Sequence, residues 1–295
     1  REEERRCIHG YSVGDTTITG RHYHYLNYWK IRRRKPGEKE KRLAPPRFLD
    51  FDHDFFWNLD KCLKEGKDML YLKRRQCGFS FKSSHVGGYN FTFNPASLSI
   101  YTSGLLEYAQ TTFGMMLEGL DNAAGTCFFR KRGMKNEDDW IQAGWKEKVG
   151  GQDVWRGYKS VCKLIAATNM QSLVGKSPSA VIYEEIGKFP GFLDVKGYIE
   201  YGMKSEGEKT GINICIGAGG EDHTSIEEVS DAFYSPEKYG FYAVDNTWDK
   251  DEVFTEDDLL DGDLPEIGTE QKSKVCFFMP AYLYGILEDY VQLGA

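Results

Sequence analysis

Residues 73–82 combine a turn-forming glycine, several cations and a hydroxyl group, which together could bind a phosphate. In order, the stretch contains Lys73, Arg74, Arg75, Gln76, Cys77, Gly78, Phe79, Ser80, Phe81 and Lys82. Phosphate binding requires backbone N–H groups in a concavity, a helix N-terminus and fixed positive charge. The usual phosphate loop has its lysine directly after the second glycine, and Phe79 stands there instead. Alone, the stretch is either a phosphate loop with a displaced lysine or a basic turn before a helix.

A pair of carboxylates forms the second candidate group. Glu184 and Glu185 follow four apolar residues, 180–183. In nucleotide hydrolases, the first carboxylate in such a place serves the magnesium shell and the second orients the attacking water. Two glutamates at a helix N-terminus, favoured by the helix dipole, are the alternative. Adjacent carboxylates at the end of a buried strand are costly without a counter-charge, and a magnesium ion would supply one.

Both groups follow apolar runs that read as buried strands. Five such runs occur, at residues 69–72, 98–101, 161–167, 180–183 and 212–216. Helical spacing is present at 55–65, which ends before Gly66, and at 105–120. Short apolar strands separated by helices predict a mainly parallel sheet, whose ligands bind beyond the carboxyl ends of the strands.

The order of these features predicts an ATP-hydrolysing α/β fold that uses ATP and Mg²⁺. We expect a three-layer P-loop NTPase of the ASCE or RecA-like type, with a mainly parallel central sheet and a small additional subdomain. In this type an extra strand lies between the phosphate-loop strand and the strand that carries the acidic pair. The fifth run follows the acidic pair and ends in Gly217, Ala218 and Gly219.

Composition limits the other function classes. The chain of 295 residues has a net charge of −7, which argues against a basic protein that coats nucleic acid. A local basic cluster at 30–35 reads as a solvated face. No apolar run approaches the roughly 18 residues that a membrane helix needs. The seven scattered cysteines form no C-x-x-C pair, which argues against zinc and favours a reducing compartment.

Four stretches resemble the ATPase half of the large terminase subunit of tailed bacteriophages, a DNA-packaging motor. They are the opening ITGRHYHYLNYWKI at 18–31, the loop KRRQCGFSFKSS at 73–84, the segment SLVGKSPSAVIYEEIGKFP at 172–190, and ICIGAGGED at 214–222. The segment VCFFMPAY at 275–282 resembles the sequence that follows the ATPase core in this family. The resemblance covers nearly the whole chain, and its ordered set of motifs is more specific than any one of them.

The resemblance implies roles for the residues of both groups. In some members of the family the essential lysine lies five residues before the loop glycine, which is the place of Lys73. Arg75 matches a conspicuous arginine that could act as an arginine finger in cis or as a switch to a neighbouring subunit. Arg74 and Lys82 compete with Lys73 for the γ-phosphate. Ser80 and Glu184 are the expected magnesium residues, and Glu185 orients water.

Two positions depart from the family pattern. The acidic pair is more often Asp then Glu, so the longer Glu184 could contact magnesium through water. The coupling motif usually carries a serine or threonine that senses the γ-phosphate. Gly217, Ala218 and Gly219 offer no hydroxyl, so backbone groups or Thr224 would have to serve.

The resemblance also implies partners and domains. Double-stranded DNA, the portal protein, the small terminase subunit and further copies of the chain, in a ring of five, are the expected partners, with no membrane involved. The host bacterial cytoplasm is the expected location, outside the mature virion. We expect an N-terminal arm and adenine-side region at 1–58, the ATPase core at 59–235 and a lid or linker at 236–295. The C-terminal nuclease domain is expected to be absent, with Asp245, Asp249 and Asp251 as surface residues.

Three further assignments remain open from the residues alone. Either contact with adenine or packing in the core could explain a group of residues at 48–54, namely Phe48, Asp50, Phe51 and Asp54. A helicase or translocase with a related core is one alternative function, although a second RecA-like domain has little room. A non-hydrolysing DNA-binding protein with a vestigial loop is another, because Phe79 replaces the usual lysine.

Overall fold

The computed structural model describes most of the chain up to residue 242. The described residues are 1–13, 16–34, 39–73, 78–136, 139–169, 175–217, 223–242 and 277–278. Several predicted site residues lie outside them, namely Arg74, Arg75, Gln76, Cys77, Ala218 and Gly219. The three aspartates at 245, 249 and 251 and most of the predicted lid at 236–295 also lie outside them.

The described residues form seven α-helices. Their bounds are α1 (Glu2–His9), α2 (Gly20–Tyr28), α3 (Asp50–Glu65), α4 (Phe79–Phe93), α5 (Leu106–Asn122), α6 (Phe192–Glu200) and α7 (His223–Tyr234).

The strands are more numerous and are mostly short. Their bounds are β1 (Tyr11–Val13), β2 (Thr16–Ile18), β3 (Ile31–Arg33), β4 (Arg42–Ala44), β5 (Met69–Leu72), β6 (Leu98–Ser103), β7 (Arg132–Asn136), β8 (Trp140–Ala143), β9 (Trp145–Val149), β10 (Gln152–Arg156), β11 (Val161–Leu164), β12 (Ala180–Glu184), β13 (Lys204–Ser205), β14 (Glu208–Lys209), β15 (Ile212–Gly217) and β16 (Phe277–Phe278).

One eight-stranded sheet organises the fold. Its strand order is β16-β5-β15-β12-β6-β11-β8-β7. The strands from β16 to β11 run parallel to one another, and β8 and β7 continue the sheet antiparallel. The strand β15 therefore lies between β5, which leads into the basic loop, and β12, which carries the acidic pair. This order confirms the prediction of an extra strand between the two motifs.

Helices cover both faces of the sheet, which confirms the predicted three-layer α/β fold. On one face, α3, α4 and α5 bury residues such as Phe55, Phe79 and Phe113 against the sheet. On the other face, α6 and α7 bury residues such as Phe192 and Val229. The carboxyl ends of the parallel strands thus open at one edge between two packed layers.

Local sequence signals explain the elements that lead to this edge. The predicted helix at 55–65 is α3, which begins earlier, at Asp50, and ends at Gly66 in a left-handed conformation with φ of 64°. The predicted domain boundary at 58/59 lies within this helix. All four residues of β5 are buried, as the apolar run predicted. The predicted run at 161–167 is a strand only to Leu164.

The aromatic opening segment at 18–31 is part of the core. It contains α2, whose Tyr25 is buried, and Trp29 directly after it is buried as well. None of the described helices is long and apolar enough to span a membrane.

Candidate active site

Four of the predicted site residues, Lys73, Glu184, Glu185 and Gly217, lie where β5, β15 and β12 end. In the register of the sheet, Gly217 of β15 pairs with Leu72 of β5, and Glu184 of β12 pairs with Ile216 of β15. The backbone N–H of Lys73, one residue beyond β5, donates a hydrogen bond of 2.8 Å to the carbonyl of Gly217. Lys73, Gly217 and the acidic pair therefore share one edge of the sheet.

Lys73 forms an ion pair with Glu185 across this edge. The distance from Lys73 Nζ to Glu185 Oε1 is 2.5 Å. The Lys73 side chain is only 8% exposed and that of Glu185 is 25% exposed, so the pair is partly shielded from water. Because the two residues are 112 positions apart in sequence, only the sheet order brings them together. Lys73 and Glu185 thus lie together at this edge.

The backbone of Glu185 is held in an unusual conformation. Its φ of 51° and ψ of 54° are left-handed, which costs energy for a residue with a Cβ. A 3₁₀ turn, Ile186–Lys188, follows directly. A Cβ added at Gly217 would lie 2.7 Å from the backbone nitrogen of Ile186. The absence of a side chain at Gly217 therefore lets this turn pack against the end of β15.

We expect Gly217→Ala to disturb the site through this close contact. The added methyl group meets backbone atoms that cannot rotate away, so the free energy of unfolding should fall by about 1–3 kcal/mol. Gly197→Ala in α6 is the matched control, because no atom lies within 4 Å of a Cβ there. It should stabilise the protein slightly, by roughly 0.5–1 kcal/mol. Urea unfolding of both variants checks this; equal effects would contradict the packing argument.

Glu184 is a buried carboxyl group with unused bonding capacity. It is the last residue of β12 and is buried, and its Oε1 has no hydrogen-bond partner among the described residues. Burial raises the pKa of Glu184 to about 7, while the nearby Ser83 hydroxyl and Lys73 act to lower it. The carboxyl group is therefore poised between its neutral and ionised forms near neutral pH.

The surroundings of Glu184 fit a magnesium ion held with substrate phosphates. Mg²⁺ in such sites takes one or two protein oxygens and completes its shell with water and phosphate. Within the described part of the chain, no cluster of three or more His, Cys, Asp or Glu side chains could hold a metal alone. The Oε1 of Glu184, which has no hydrogen-bond partner among the described residues, and the neighbouring buried Ser83 Oγ are suitable oxygens.

The turn at Gly78 leads directly into α4. Gly78 has a φ of 70° and ends the loop, and the helix begins at Phe79. Phe79 is buried and packs against Tyr71 of β5, with ring centroids 4.7 Å apart. The residue in the usual lysine position is thus a core residue. Ser80 is half-buried in the first turn of α4, where free N–H groups can face an anion, and Phe81 packs partly against the same core.

Lys82 is used inside the fold. Its Nζ lies 2.5 Å from Asp52 Oδ1 of α3, and both side chains are almost fully buried. The same ammonium group lies 4.1 Å from the centroid of the Phe79 ring, a cation–π arrangement. This geometry ties the first turns of α3 and α4 together. Lys82 thus has its carboxylate partner, Asp52, on α3, whereas Lys73 has Glu185 as its partner at the sheet edge.

The residues considered for adenine contact have mixed surroundings. Asp54 accepts hydrogen bonds from Tyr71 Oη at 3.3 Å and from Asn58 Nδ2 at 3.0 Å. Phe48 is exposed and stacks on His22, with ring centroids 5.3 Å apart. Asp54 therefore supports the strand that leads into the loop, whereas Phe48 remains accessible at the surface.

Asp54 gives the stability of the protein a defined pH dependence. Burial raises its pKa from 3.8 to about 7, although the bonds from Tyr71 and Asn58 act in the opposite direction. Because the pKa is raised in the folded state, the contribution of this group to stability is greatest at low pH and is lost as the pH rises towards 7. Between pH 5 and pH 8 its ionisation should lower the free energy of unfolding of the wild type by ~3 kcal/mol.

The variant Asp54→Asn should lack this loss because its amide does not titrate. We expect the difference in free energy of unfolding between variant and wild type to grow in favour of the variant from pH 5 to pH 8. Urea unfolding at a series of pH values measures it. Two parallel pH profiles would contradict the assignment of the raised pKa to Asp54.

Two contacts of the site lie beyond what the sequence indicated. Asp52, the partner of Lys82, stands among several acidic and aromatic residues of α3 without a distinguishing pattern. Ser83, next to Glu184, lies nearly one turn beyond the expected Ser80. The helical spacing of Phe79, Lys82 and Ser83 could have indicated one face of α4, but their partners could not be read from the sequence.

A scan of protein-family models and a search of curated proteins give no match. A search of solved structures matches the large terminase ATPase domain of Thermus phage P74-26, with 15% identity over 62% of this chain and 68% of that one, at a TM-score of 0.45.

Two longer terminases are also similar. The HK97 bacteriophage large terminase shares 14% identity over 92% of this chain and 51% of its own length, at a TM-score of 0.49. A large terminase from a thermophilic bacteriophage shares 9% identity over 74% of this chain and 50% of its own length, at a TM-score of 0.45. All three of these solved structures are bacteriophage large terminases or their ATPase domains.

Proposed function

We propose that this chain is the ATP-hydrolysing motor domain of a viral terminase large subunit, which couples hydrolysis to translocation of double-stranded DNA into a procapsid. The single observation that carries the proposal is the 2.5 Å contact between Lys73 Nζ and Glu185 Oε1. It joins the displaced lysine to the second carboxylate, at the strand edge where ligands of such folds bind.

The residues at this edge have complementary chemical tasks. Lys73 binds phosphate oxygens, and the N-terminus of α4 after Gly78 adds backbone donors. Glu184 and Ser80, with Ser83 as a nearby alternative to Ser80, would hold magnesium. When bound, magnesium would neutralise the negative charge that develops during phosphoryl transfer. Glu185 orients the attacking water and accepts its hydrogen bond.

The Lys73–Glu185 pair gives the site two states. In the structure, Lys73 neutralises Glu185, the carboxylate that should orient the attacking water. A polyphosphate offers the lysine a higher density of negative charge, so Lys73 turns to it and no longer neutralises Glu185. The roles of Arg74 and Arg75 in charge stabilisation, and of Ala218 and Gly219 in coupling, remain part of the proposal.

The proposed partners follow from the same function. They are double-stranded DNA, the portal protein, the small terminase subunit and neighbouring copies in a ring of five, in the cytoplasm of the bacterial host. Residues 236–295 are proposed as a lid or linker that moves relative to the core. The chain spans about half the length of the two longer terminases that it matches, and nuclease activity is not proposed for it.

The test is hydrolysis of ATP with Mg²⁺, with and without duplex DNA, at protein concentrations high enough for subunits to associate. We expect magnesium-dependent phosphate release that duplex DNA accelerates. A strand-separation assay on a forked duplex serves as the control for a helicase, and it should show no unwinding. Absence of both hydrolysis and nucleotide binding would overturn the proposal and favour a vestigial loop.

A further inference from the structure

A small basic hairpin lies next to the core, on the N-terminal side of the chain. It consists of β3 and β4 with their flanking residues, 30–34 and 39–47. The segment 30–47 contains nine Lys and Arg residues and two Glu residues, a net charge of +7, although the whole chain carries −7. The described cations of the hairpin are exposed apart from Arg33, which is half-buried. The sequence alone gave such a cluster no role beyond a solvated face.

The hairpin is fixed to the core by its first strand. Ile31 packs against the main hydrophobic core, and Arg32 makes a two-pronged ion pair with Glu118 of α5. Pro46 is buried just beyond β4. These anchors hold the remaining cations in place relative to the body of the protein. A charged loop that was merely solvated would need no such anchoring.

Three arginines of the hairpin crowd one another. Arg33 lies directly opposite Arg42 in the antiparallel register, and like charges in that position destabilise a hairpin. The pKa of Arg33 is lowered, first by burial and then by the positive charge of Arg47. The buried Arg33 Nε has no hydrogen-bond partner among the described residues. The chain therefore holds an unsatisfied donor within a concentration of positive charge.

The chemistry of this group selects phosphate as its ligand. Guanidinium groups bind phosphate oxygens through two parallel N–H donors. A series of cations along a two-stranded ribbon suits a ligand whose negative charges repeat at regular spacing. The whole chain has a net charge of −7 and the segment 30–47 has a net charge of +7. The remainder of the chain therefore has a net charge of −14 and would repel such a ligand. A local, rigidly mounted patch can then provide the attraction.

We propose that the basic hairpin binds the phosphate backbone of duplex DNA, without reading its sequence, through Arg33, Arg42 and Arg47. The identity of the polyanion as duplex DNA rests on the proposed function. The binding itself depends on the hairpin charges and does not require ATP. The hairpin thereby supplies a DNA-contacting surface separate from the nucleotide edge.

The test is the affinity for a fluorescent duplex of about three helical turns, measured by anisotropy over a series of salt concentrations without nucleotide. The hairpin variant is Arg33→Gln/Arg42→Gln/Arg47→Gln. A matched control, Lys146→Gln/Lys148→Gln/Arg156→Gln, removes the same charge from the exposed hairpin β9–β10. Each lost phosphate contact should reduce the slope of log affinity against log salt by about 0.9. We expect the hairpin variant to lose about 2–3 in slope and roughly tenfold or more in affinity.

The control variant should keep most of the affinity and slope. Equal losses in both variants, or none in the hairpin variant, would overturn the inference. Sedimentation of the free proteins forms a further arm: a change in self-association without a change in DNA affinity would assign the hairpin to a protein interface and overturn it as well.

Hydrolysis by the same samples separates the two proposals. Hairpin-dependent DNA binding with neither ATP hydrolysis nor nucleotide binding would support the DNA surface and contradict the motor function. ATP hydrolysis with DNA binding that ignores the hairpin would do the reverse.

Discussion

Glu185→Gln is expected to abolish ATP hydrolysis while leaving nucleotide binding intact. The amide keeps the size of the side chain but is a poor acceptor for the hydrogen of an attacking water. Loss of a positioned base of this kind costs typically 10²- to 10⁴-fold in rate, so we expect a fall of about 10³-fold. Because the substitution also removes the ion pair with Lys73, the lysine should bind phosphate at least as tightly as before.

Phosphate release and binding of a fluorescent ATP analogue, measured on the same preparation, check this prediction. Asp231→Asn is a suitable control, because Asp231 of α7 pairs with the exposed Lys238 and neither residue is among those assigned to the site. It should hydrolyse ATP at the wild-type rate. A Glu185→Gln variant that retains more than about a tenth of the rate would exclude Glu185 as the water-orienting group.

Lys73→Met is expected to have the second large effect, on nucleotide affinity. The apolar side chain keeps the approximate length but removes the charge that would meet the phosphates. A buried charge-assisted contact contributes several kilocalories per mole, so the affinity for Mg·ATP should fall by about 10²-fold or more. Calorimetric titration measures the change directly.

Lys82→Met is the matched comparison, because Lys82 is also close to the loop but is paired with buried Asp52. Removing one member of a buried ion pair typically costs about 3–5 kcal/mol, so this variant should lose stability. The double variant Lys82→Met/Asp52→Asn should recover part of it and bind nucleotide with near-wild-type affinity. The opposite result, with stable Lys82→Met that cannot bind nucleotide and Lys73→Met that can, would move the phosphate role to Lys82.

The strands that build the site could be predicted because each is a short apolar run of the kind that forms a buried strand. β5 coincides with the predicted 69–72, and β12 and β15 extend the predicted runs by one residue each. Their carboxyl ends carry Lys73, Glu184, Glu185 and Gly217, which the runs marked as candidates. The resemblance to the terminase family, and not the runs, distinguished Lys73 from the neighbouring cations. Periodicity and local composition suffice when an element is buried on both faces.

Partners across the fold could not be predicted in the same way. Lys73 and Lys82 are both lysines beside one glycine, and only tertiary packing sends one to Glu185 and the other to Asp52. The antiparallel strands β7 to β10 were also missed, since each is short and mixes polar residues among its apolar ones, without the apolar runs that marked the other strands. The left-handed backbone of Glu185 has no sequence signal at all.

The most direct test of the central claim is a crystal structure of the chain with Mg²⁺ and a non-hydrolysable ATP analogue. We expect phosphates at the turn after β5, with Lys73 Nζ turned from Glu185 to a phosphate oxygen and magnesium beside Glu184. Nucleotide bound elsewhere, or phosphates at this edge with the Lys73–Glu185 pair unbroken, would contradict it.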